Sequence, residues 1–387
     1  MSVRKREWAT TAGETKTAWI VAYADQSGDR HIKTFKRKKD ADAFAQETGV
    51  DVRAGIHTPA SKSPTVAQAA AAWIDRVAAE GREQSTLAQY RQHANHINSR
   101  IGSHKLANLT TPSINSFYDE LLTGDRKVSR AMARKLLVSL KSILRDAQRR
   151  GTVAQNVALS VKAAVDKRSE HHQLEVGVDI PKPDEIKHII AALNQQPPGS
   201  RIRPLVLTAI FTGMRASELR GLRWADVDLK NAKVQVKQRA DRYNKIGKPK
   251  SKAGKRTIPL GPDLVNILRE WKLACPKGEA GLVFPTAKGV VGQHANIVRT
   301  FQRVVLTAGL KTLDGKPKYT GLHSLRHFYA SWCINRKADG GLELPVKLVQ
   351  ARLGHATLAM TMDRYGHLFP SNDDGSELAD AERALMG

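Results

Sequence analysis

Between Thr320 and His367 stand four side chains suited to chemistry at a phosphate: His323, Arg326, His355 and Tyr365. In His323-Ser324-Leu325-Arg326 the histidine and the arginine are three apart, which on a helix puts them on one face. A planar guanidinium matches two oxygens of one phosphate. An imidazole beside it can carry a proton near neutral pH. A phenol is a weak nucleophile when protonated, but as phenolate it can attack phosphorus and form a covalent ester. Each feature is common when it stands alone. An HxxR pair is usually structural, a tyrosine near a helix end is usually a half-buried amphipath, and Leu353-Gly354-His355 would serve as a plain helix cap. The joint order of HSLRH, LGHAT and then Tyr365 carries the signal.

The surrounding pattern says what must hold these groups. Leu322, Leu325, Phe328 and Tyr329 recur at helical spacing and give the His323–Arg326 helix a core face. The apolar run Val346–Leu353 ends at Gly354, the expected place for a left-handed cap. A second helix is predicted from near Thr357, with Tyr365, ten positions after His355, at its far end.

This stretch resembles the C-terminal half of the tyrosine recombinases, the phage-integrase family, whose pattern is H-x-L-R-H, then L-G-H, then a tyrosine. The family also carries an arginine in T-G-x-R-x-x-E-L and a lysine in a β-hairpin. This chain has Thr212-Gly213-Met214-Arg215-Ala216-Ser217-Glu218-Leu219, and Pro249-Lys250-Ser251-Lys252 leading to Arg256-Thr257-Ile258-Pro259-Leu260. The resemblance implies a division of labour. Arg215 and Arg326 neutralise the two non-bridging oxygens as charge grows on them, and His355 adds a hydrogen bond. Tyr365 attacks to leave a 3′-phosphotyrosine and a free 5′-hydroxyl. Lys250, or Lys252, protonates the leaving oxygen, and His323 helps manage the tyrosine proton. The ester keeps the bond energy, so no ATP is needed to rejoin, and with this many cationic donors no metal or other cofactor is expected. Implied partners are double-stranded DNA attachment sites and three further copies in a homotetramer on DNA. A DNA-bending accessory protein and an excision factor are also consistent with the family. The implied activity is integration, and also excision, of a mobile element. A chromosome-dimer resolvase is the neighbouring reading, but those enzymes usually lack an extra N-terminal module. A type IB topoisomerase differs in its lysine and histidine pattern. A DNA-binding protein without catalysis on the same scaffold is opposed by the intact Arg215, Arg326 and Tyr365.

Composition points the same way. Over 387 residues, Lys and Arg outnumber Asp and Glu by 63 to 37, a formal charge of +26. Such an excess suits a polyanion, and nucleic acid is the natural one. No apolar run approaches the ~20 residues that span a bilayer; the most apolar, Pro204–Met214, is too short. The basic start has no apolar segment of signal-peptide type. Two cysteines, Cys275 and Cys333, form no CxxC and no zinc spacing, which suits a reducing cytoplasm. No membrane partner is expected.

The length suggests two or three domains, and the expected fold is multidomain and mainly α. Residues 1–55 read as a β-hairpin followed by a short helix, Lys38–Glu47. This module carries Arg30, Lys33, Lys36 and Arg37, and the resemblance makes it an arm-type DNA-binding domain. GIHTPASKSP, 55–64, reads as a linker. Residues 65–165 read as a helical bundle. Its longest helix, Ser129–Arg150, turns Leu136, Leu140, Ile143 and Leu144 inward and a basic face outward, with Arg134, Lys141 and Arg145 as candidate contacts to core-site DNA. A second linker is expected at 165–183. A mostly α catalytic domain over 180–387 should hold a small antiparallel sheet, with a long basic loop between the strands at Asn231–Val236 and Arg256–Leu260.

Overall fold

The computed structural model describes all residues except 10, 12–14, 26–27, 56, 60–62, 164–172, 370–375 and 387. The chain divides into two compact units, Met1–Glu170 and His171–Gly387. No helix among the described residues is long and apolar enough to cross a membrane.

The first unit opens with a three-stranded antiparallel sheet rather than a hairpin. Strand β1 (Ser2–Ala9) pairs with β2 (Thr15–Ala24), which pairs with β3 (Arg30–Phe35). Strand β1 escaped sequence reading because most of its residues are charged or polar. Only Val3 alternates into the small core with Val21 and Tyr23. Helix α1 (Lys38–Ala54) covers one sheet face and runs a full two turns beyond Glu47. It passes straight through Gly49 because Thr48 and Val52 still have the sheet to pack against, and it stops at Gly55 in the left-handed region (φ 76°).

Four helices follow: α2 (Val66–Ala79), α3 (Gln84–Ile101), α4 (Thr111–Thr123) and α5 (Arg130–Arg149). Thr65, Thr110 and Ser129 cap α2, α4 and α5, each accepting a backbone N–H three residues on. The apolar stripe of α5 is buried as its periodicity requires: Leu136, Leu137, Leu140 and Leu144 are at most 2% exposed. Each such leucine contributes roughly 1.5–3 kcal/mol by leaving water. The acidic exception on α5, Asp146, is buried and pairs with Arg76, Arg149 and Arg150. The described part of the first expected linker is packed rather than free. Ser63 is buried and its hydroxyl accepts from Ala107 N, while Thr58 Oγ1 accepts from Ala154 N.

Residues 165–172 of the second expected linker lie outside the described residues. The rest of it is no linker: Leu174 and Ile180 are buried in the core of the second unit, because the alternation Leu174, Val176, Val178, Ile180 forms a tight turn closed by a bridge between Val176 and Ile180. The second unit then runs α6 (Pro183–Asn194), α7 (Ile202–Thr212), α8 (Ala216–Gly221), β4 (Val227–Asp228), β5 (Lys233–Val236), β6 (Arg239–Ala240), β7 (Ile246–Gly247), β8 (Arg256–Pro259), α9 (Pro262–Ala274), α10 (His294–Thr307), α11 (His323–Ile334), α12 (Val346–Leu353), α13 (Leu358–Tyr365) and α14 (Ser376–Met386). Strands β4, β5 and β8 form the small sheet, with Val234 opposite Ile258 and Val236 opposite Arg256. The basic loop is partly ordered by its own two-stranded ribbon, β6 with β7. Helix α7 is almost wholly apolar because it is buried along nearly all of its length, Arg203 and Phe211 alone being half-buried, and α11 packs on it.

Candidate active site

Helix ends deliver the site. Helix α7 ends at Gly213 (φ 59°) and α12 ends at Gly354 (φ 65°), both left-handed. Neither tolerates a side chain. A Cβ at Gly213 would overlap Tyr329 Cδ1, and one at Gly354 would sit 2.9 Å from Ala253 O. These two turns aim backbone carbonyls at arginines. Arg326, 2% exposed on α11, donates Nη1 to Gly213 O (2.7 Å) and Nη2 to Leu353 O (2.5 Å). Two of the five guanidinium N–H bonds are thereby oriented by backbone, leaving three for a ligand. Burial and the neighbouring Arg215 pull Arg326 down to about 9, still cationic at neutral pH.

Arg215 occupies the N-cap of α8, so its backbone N–H and its side chain both reach Glu218: N to Oε2 at 2.9 Å and Nη1 to Oε1 at 2.9 Å. Its Nη2 lies 3.5 Å from Gly354 O. Glu218 is also gripped by Arg256 of β8, whose Nη1 and Nη2 donate to Oε1 (3.1 Å) and Oε2 (2.9 Å). Arg256 in turn donates Nε to Arg352 O at 2.7 Å. Burial by itself would raise the Glu218 carboxyl, but the hydrogen bonds and charge of Arg256 and the charge of Arg215 outweigh it and hold the group at about 2. One buried carboxylate thus ties α8, β8 and the end of α12 into a single frame. Arg256 was not singled out from the sequence. The available signal was parity: it lies on the same strand face as buried Ile258, where a charged residue needs a partner.

His355, just beyond the Gly354 turn, is buried and its Nδ1 lies 3.0 Å from Thr361 Oγ1. Thr357 caps α13 through Met360 N, and α13 carries Tyr365 back beneath α11. Tyr365 is 2% exposed, with its ring parallel to that of His355 at a centroid separation of 6.2 Å. The turn after Tyr365 is anchored by His367, whose Nε2 donates to Leu174 O at 2.9 Å. Burial raises the Tyr365 phenol, against the pull of Arg326, Arg364 and Arg215. Burial, then Arg326, holds both His323 and His355 down at about 4, so both imidazoles are neutral donors or acceptors at pH 7.

The fold therefore gathers Arg215, His323, Arg326, His355 and Tyr365 into one cluster. One expected contact is different. The group at the Tyr365 phenol is His327, with Nδ1 2.8 Å from Oη, and not His323. Positions 323 and 327 are one turn apart, and the ring of His323 meets that of His327 at a centroid separation of 4.5 Å. The final residue of HSLRH was passed over in the sequence although its spacing put it on the same helix face. Lys250 and Lys252 are both exposed on the loop before β8.

The expected DNA contacts are distributed unevenly. Arg30, Lys36 and Arg37 are exposed. Lys33 lies on the helix-covered side of the sheet, its Nζ 4.1 Å from the Phe44 ring centre. On α5, Arg134 and Arg145 are exposed, while the ammonium of Lys141 donates to Val161 O (2.7 Å) and Leu159 O (3.3 Å). The register also shows what sequence reading missed: Arg4 and Arg6 of β1 share with Arg30 the sheet face turned away from α1, around Ala18, Ile20 and Ala22.

Residues 181–372 match the phage integrase family. The chain is 26% identical over 395 residues to a XerC-like tyrosine recombinase of Caldanaerobacter subterraneus subsp. tengcongensis, covering 95% of this chain and 96% of that one. It is 29% identical over 221 residues to the tyrosine recombinase XerC of Xanthomonas axonopodis pv. citri, covering 57% and 62%. Among solved structures it shares its fold with the Tn1549 transposon integrase in complex with a circular intermediate DNA (TM-score 0.64, 19% identity, 83% of this chain and 100% of that one). It shares it also with the lambda integrase dimer bound to a core site (TM-score 0.59, 19% identity, 95% and 97%).

Proposed function

We infer that this chain, a tyrosine recombinase of the phage-integrase family, cleaves and rejoins duplex DNA at specific sites through a covalent bond to Tyr365, and by doing so moves a mobile element into and out of a host duplex. The observation that carries this reading is the convergence of two arginines, two neutral imidazoles and a phenol whose oxygen is aimed into the same cluster. A phosphodiester resists attack because its charge repels nucleophiles. Arg215 and Arg326 answer that charge on the two non-bridging oxygens, with a geometry set in advance by Glu218, Gly213 O and Leu353 O. His355 donates to the same oxygens. Lys250, on the long basic loop before β8, supplies the proton to the departing 5′ oxygen, and Lys252 is the neighbour able to replace it.

Binding is divided between two surfaces. Arg4, Arg6 and Arg30, exposed on the sheet face away from α1, fit a DNA groove as a β-sheet reader does, with Lys36 and Arg37 on phosphates at its edge. Arg134 and Arg145 are eleven positions apart on α5, hence on one face, and contact the core site. Lys141 shares that face but serves the carbonyls of Leu159 and Val161. The tetramer of a lambda integrase bound to a Holliday junction supports assembly of four copies on DNA, and we place that assembly in the host cytoplasm. A nicked core-site substrate tests the reading: the wild-type protein should be trapped as a covalent adduct on a denaturing gel, and Tyr365→Phe should bind the same DNA without forming one. A normal adduct yield from Tyr365→Phe would overturn it.

A further inference from the structure

Resting on the assignment of Tyr365 as nucleophile, we propose that His327 is a further catalytic residue, the base that accepts the phenolic proton of Tyr365 through Nδ1. The contact is direct: Nδ1 lies 2.8 Å from Tyr365 Oη, both groups are buried, and the rings meet edge-on at a centroid separation of 5.8 Å. A base must lie within hydrogen-bond reach of the proton it removes. Among the histidines of the cluster, His327 is the one bonded to that oxygen. His355 lies parallel to the tyrosine ring with its Nδ1 turned to Thr361, and His323 meets His327 rather than the phenol.

The proton inventory balances. The bond between Oη and phosphorus forms, the bond between phosphorus and the 5′ oxygen breaks, and the phenolic proton passes to His327 Nδ1. The 5′ oxygen takes its own proton from the loop lysine. In rejoining, the imidazolium returns its proton to the departing phenolate. The environment makes the acceptor conditional on substrate. The charged and titratable groups around His327 are His323 and Arg326 on its own helix, Arg364 and Tyr365 on α13, and Asp179 before α6. Burial, then the cationic surroundings, hold the free imidazole down at about 3, so it is neutral and able to accept. An incoming phosphate adds negative charge beside it and raises its proton affinity where and when the proton must move.

The test is the pH profile of single-turnover cleavage with the intact chain and a nicked core-site duplex. His327→Asn keeps a polar atom near the Nδ1 position but cannot take up a proton. With core-site binding unchanged, its cleavage should fall about 10²–10⁴-fold at pH 7. It should then recover about tenfold per pH unit toward alkaline pH, as solvent supplies the phenolate instead. A loss of constant size at every pH would reduce His327 to a positioning role and overturn the proposal, and so would a rate within about twofold of wild type. Should His327→Asn fail to fold, ring-¹⁵N spectra of the intact protein decide. An unprotonated, hydrogen-bonded Nδ1 that shifts in Tyr365→Phe is expected, and a protonated Nδ1 would overturn the acceptor role. An adduct formed by Tyr365→Phe, run in parallel, would instead remove the nucleophile assignment on which the proposal rests.

Discussion

Glu218→Gln removes the single carboxylate on which Arg215 and Arg256 converge. Glu218 and Arg256 are nearly buried, their side chains 3% and 5% exposed, so solvent cannot take the place of the missing charge. The magnitude follows from the carboxyl itself. Its value falls from an ordinary 4.5 to about 2, with burial opposing the fall and the two arginines driving it. A shift of that size corresponds to about 3 kcal/mol of differential stabilisation. Leaving a buried cation without its partner costs a similar ~3–5 kcal/mol. In urea unfolding of the full chain at pH 7, the midpoint of the unit containing Glu218 should therefore drop by about 1 M or more, given slopes of ~1–3 kcal/mol per molar. The sign with pH is set by a depressed folded-state value. The contribution of Glu218 is complete above 4.5 and is lost as pH falls through about 2. Wild-type and variant midpoints should accordingly converge in acid. Cleavage should fall as well, since Arg215 loses the negative charge, and one of the two acceptor oxygens, that set its direction. Equal midpoints for the two proteins at pH 7 would refute the claim that this carboxylate ties the site together.

Gly213→Ala should destabilise the second unit by several kcal/mol and depress cleavage, because the left-handed backbone and the overlap of a Cβ with the Tyr329 ring force movement of the carbonyl that orients Arg326; thermal unfolding beside an adduct assay would check it. Replacing Arg4, Arg6 and Arg30 by Ala should weaken binding to accessory sites and lower the log–log salt slope by about one for each phosphate no longer neutralised, with core-site cleavage unchanged, as read by titration at several salt concentrations. Helix α14 presents Leu378 and Leu385 to solvent at 71% and 88% exposure, and a short helix of this kind needs a groove. Truncation after residue 369 should leave monomer binding to the core site intact while slowing synapse assembly, and native gels of paired sites would show whether it does.

The site was legible in the sequence to the extent that its chemistry is local. HSLRH, LGHAT and Tyr365 follow one another within 43 residues, so type and order singled them out. Gly354 read as a left-handed cap for the same reason. Arg215, in TGMRASEL, was reached through the family resemblance and not through spacing. What escaped was non-local. Which of His323 and His327 meets Tyr365 depends on how α13 returns beneath α11, across 38 residues. Arg256 belongs to the site only because β8 packs against the loop ending α12. Strand β1 was hidden by its charges, since an edge strand needs one buried face at most and β1 buries little beyond Val3. The second expected linker failed where Leu174 and Ile180 alternate into the core, a signal outweighed by the polar residues around them. Spacing alone does not separate Lys250 from Lys252, because both lie on one exposed loop between β7 and β8.

One covalent bond carries the whole mechanism. Trapping the protein on a nicked core-site duplex, digesting both partners and sequencing the modified peptide by mass spectrometry would locate it. The expected product is a nucleotide joined through its 3′-phosphate to the peptide containing Tyr365, with a free 5′-hydroxyl on the released strand. A nucleotide attached at any other residue, or a 5′-phosphate link, would contradict the mechanism.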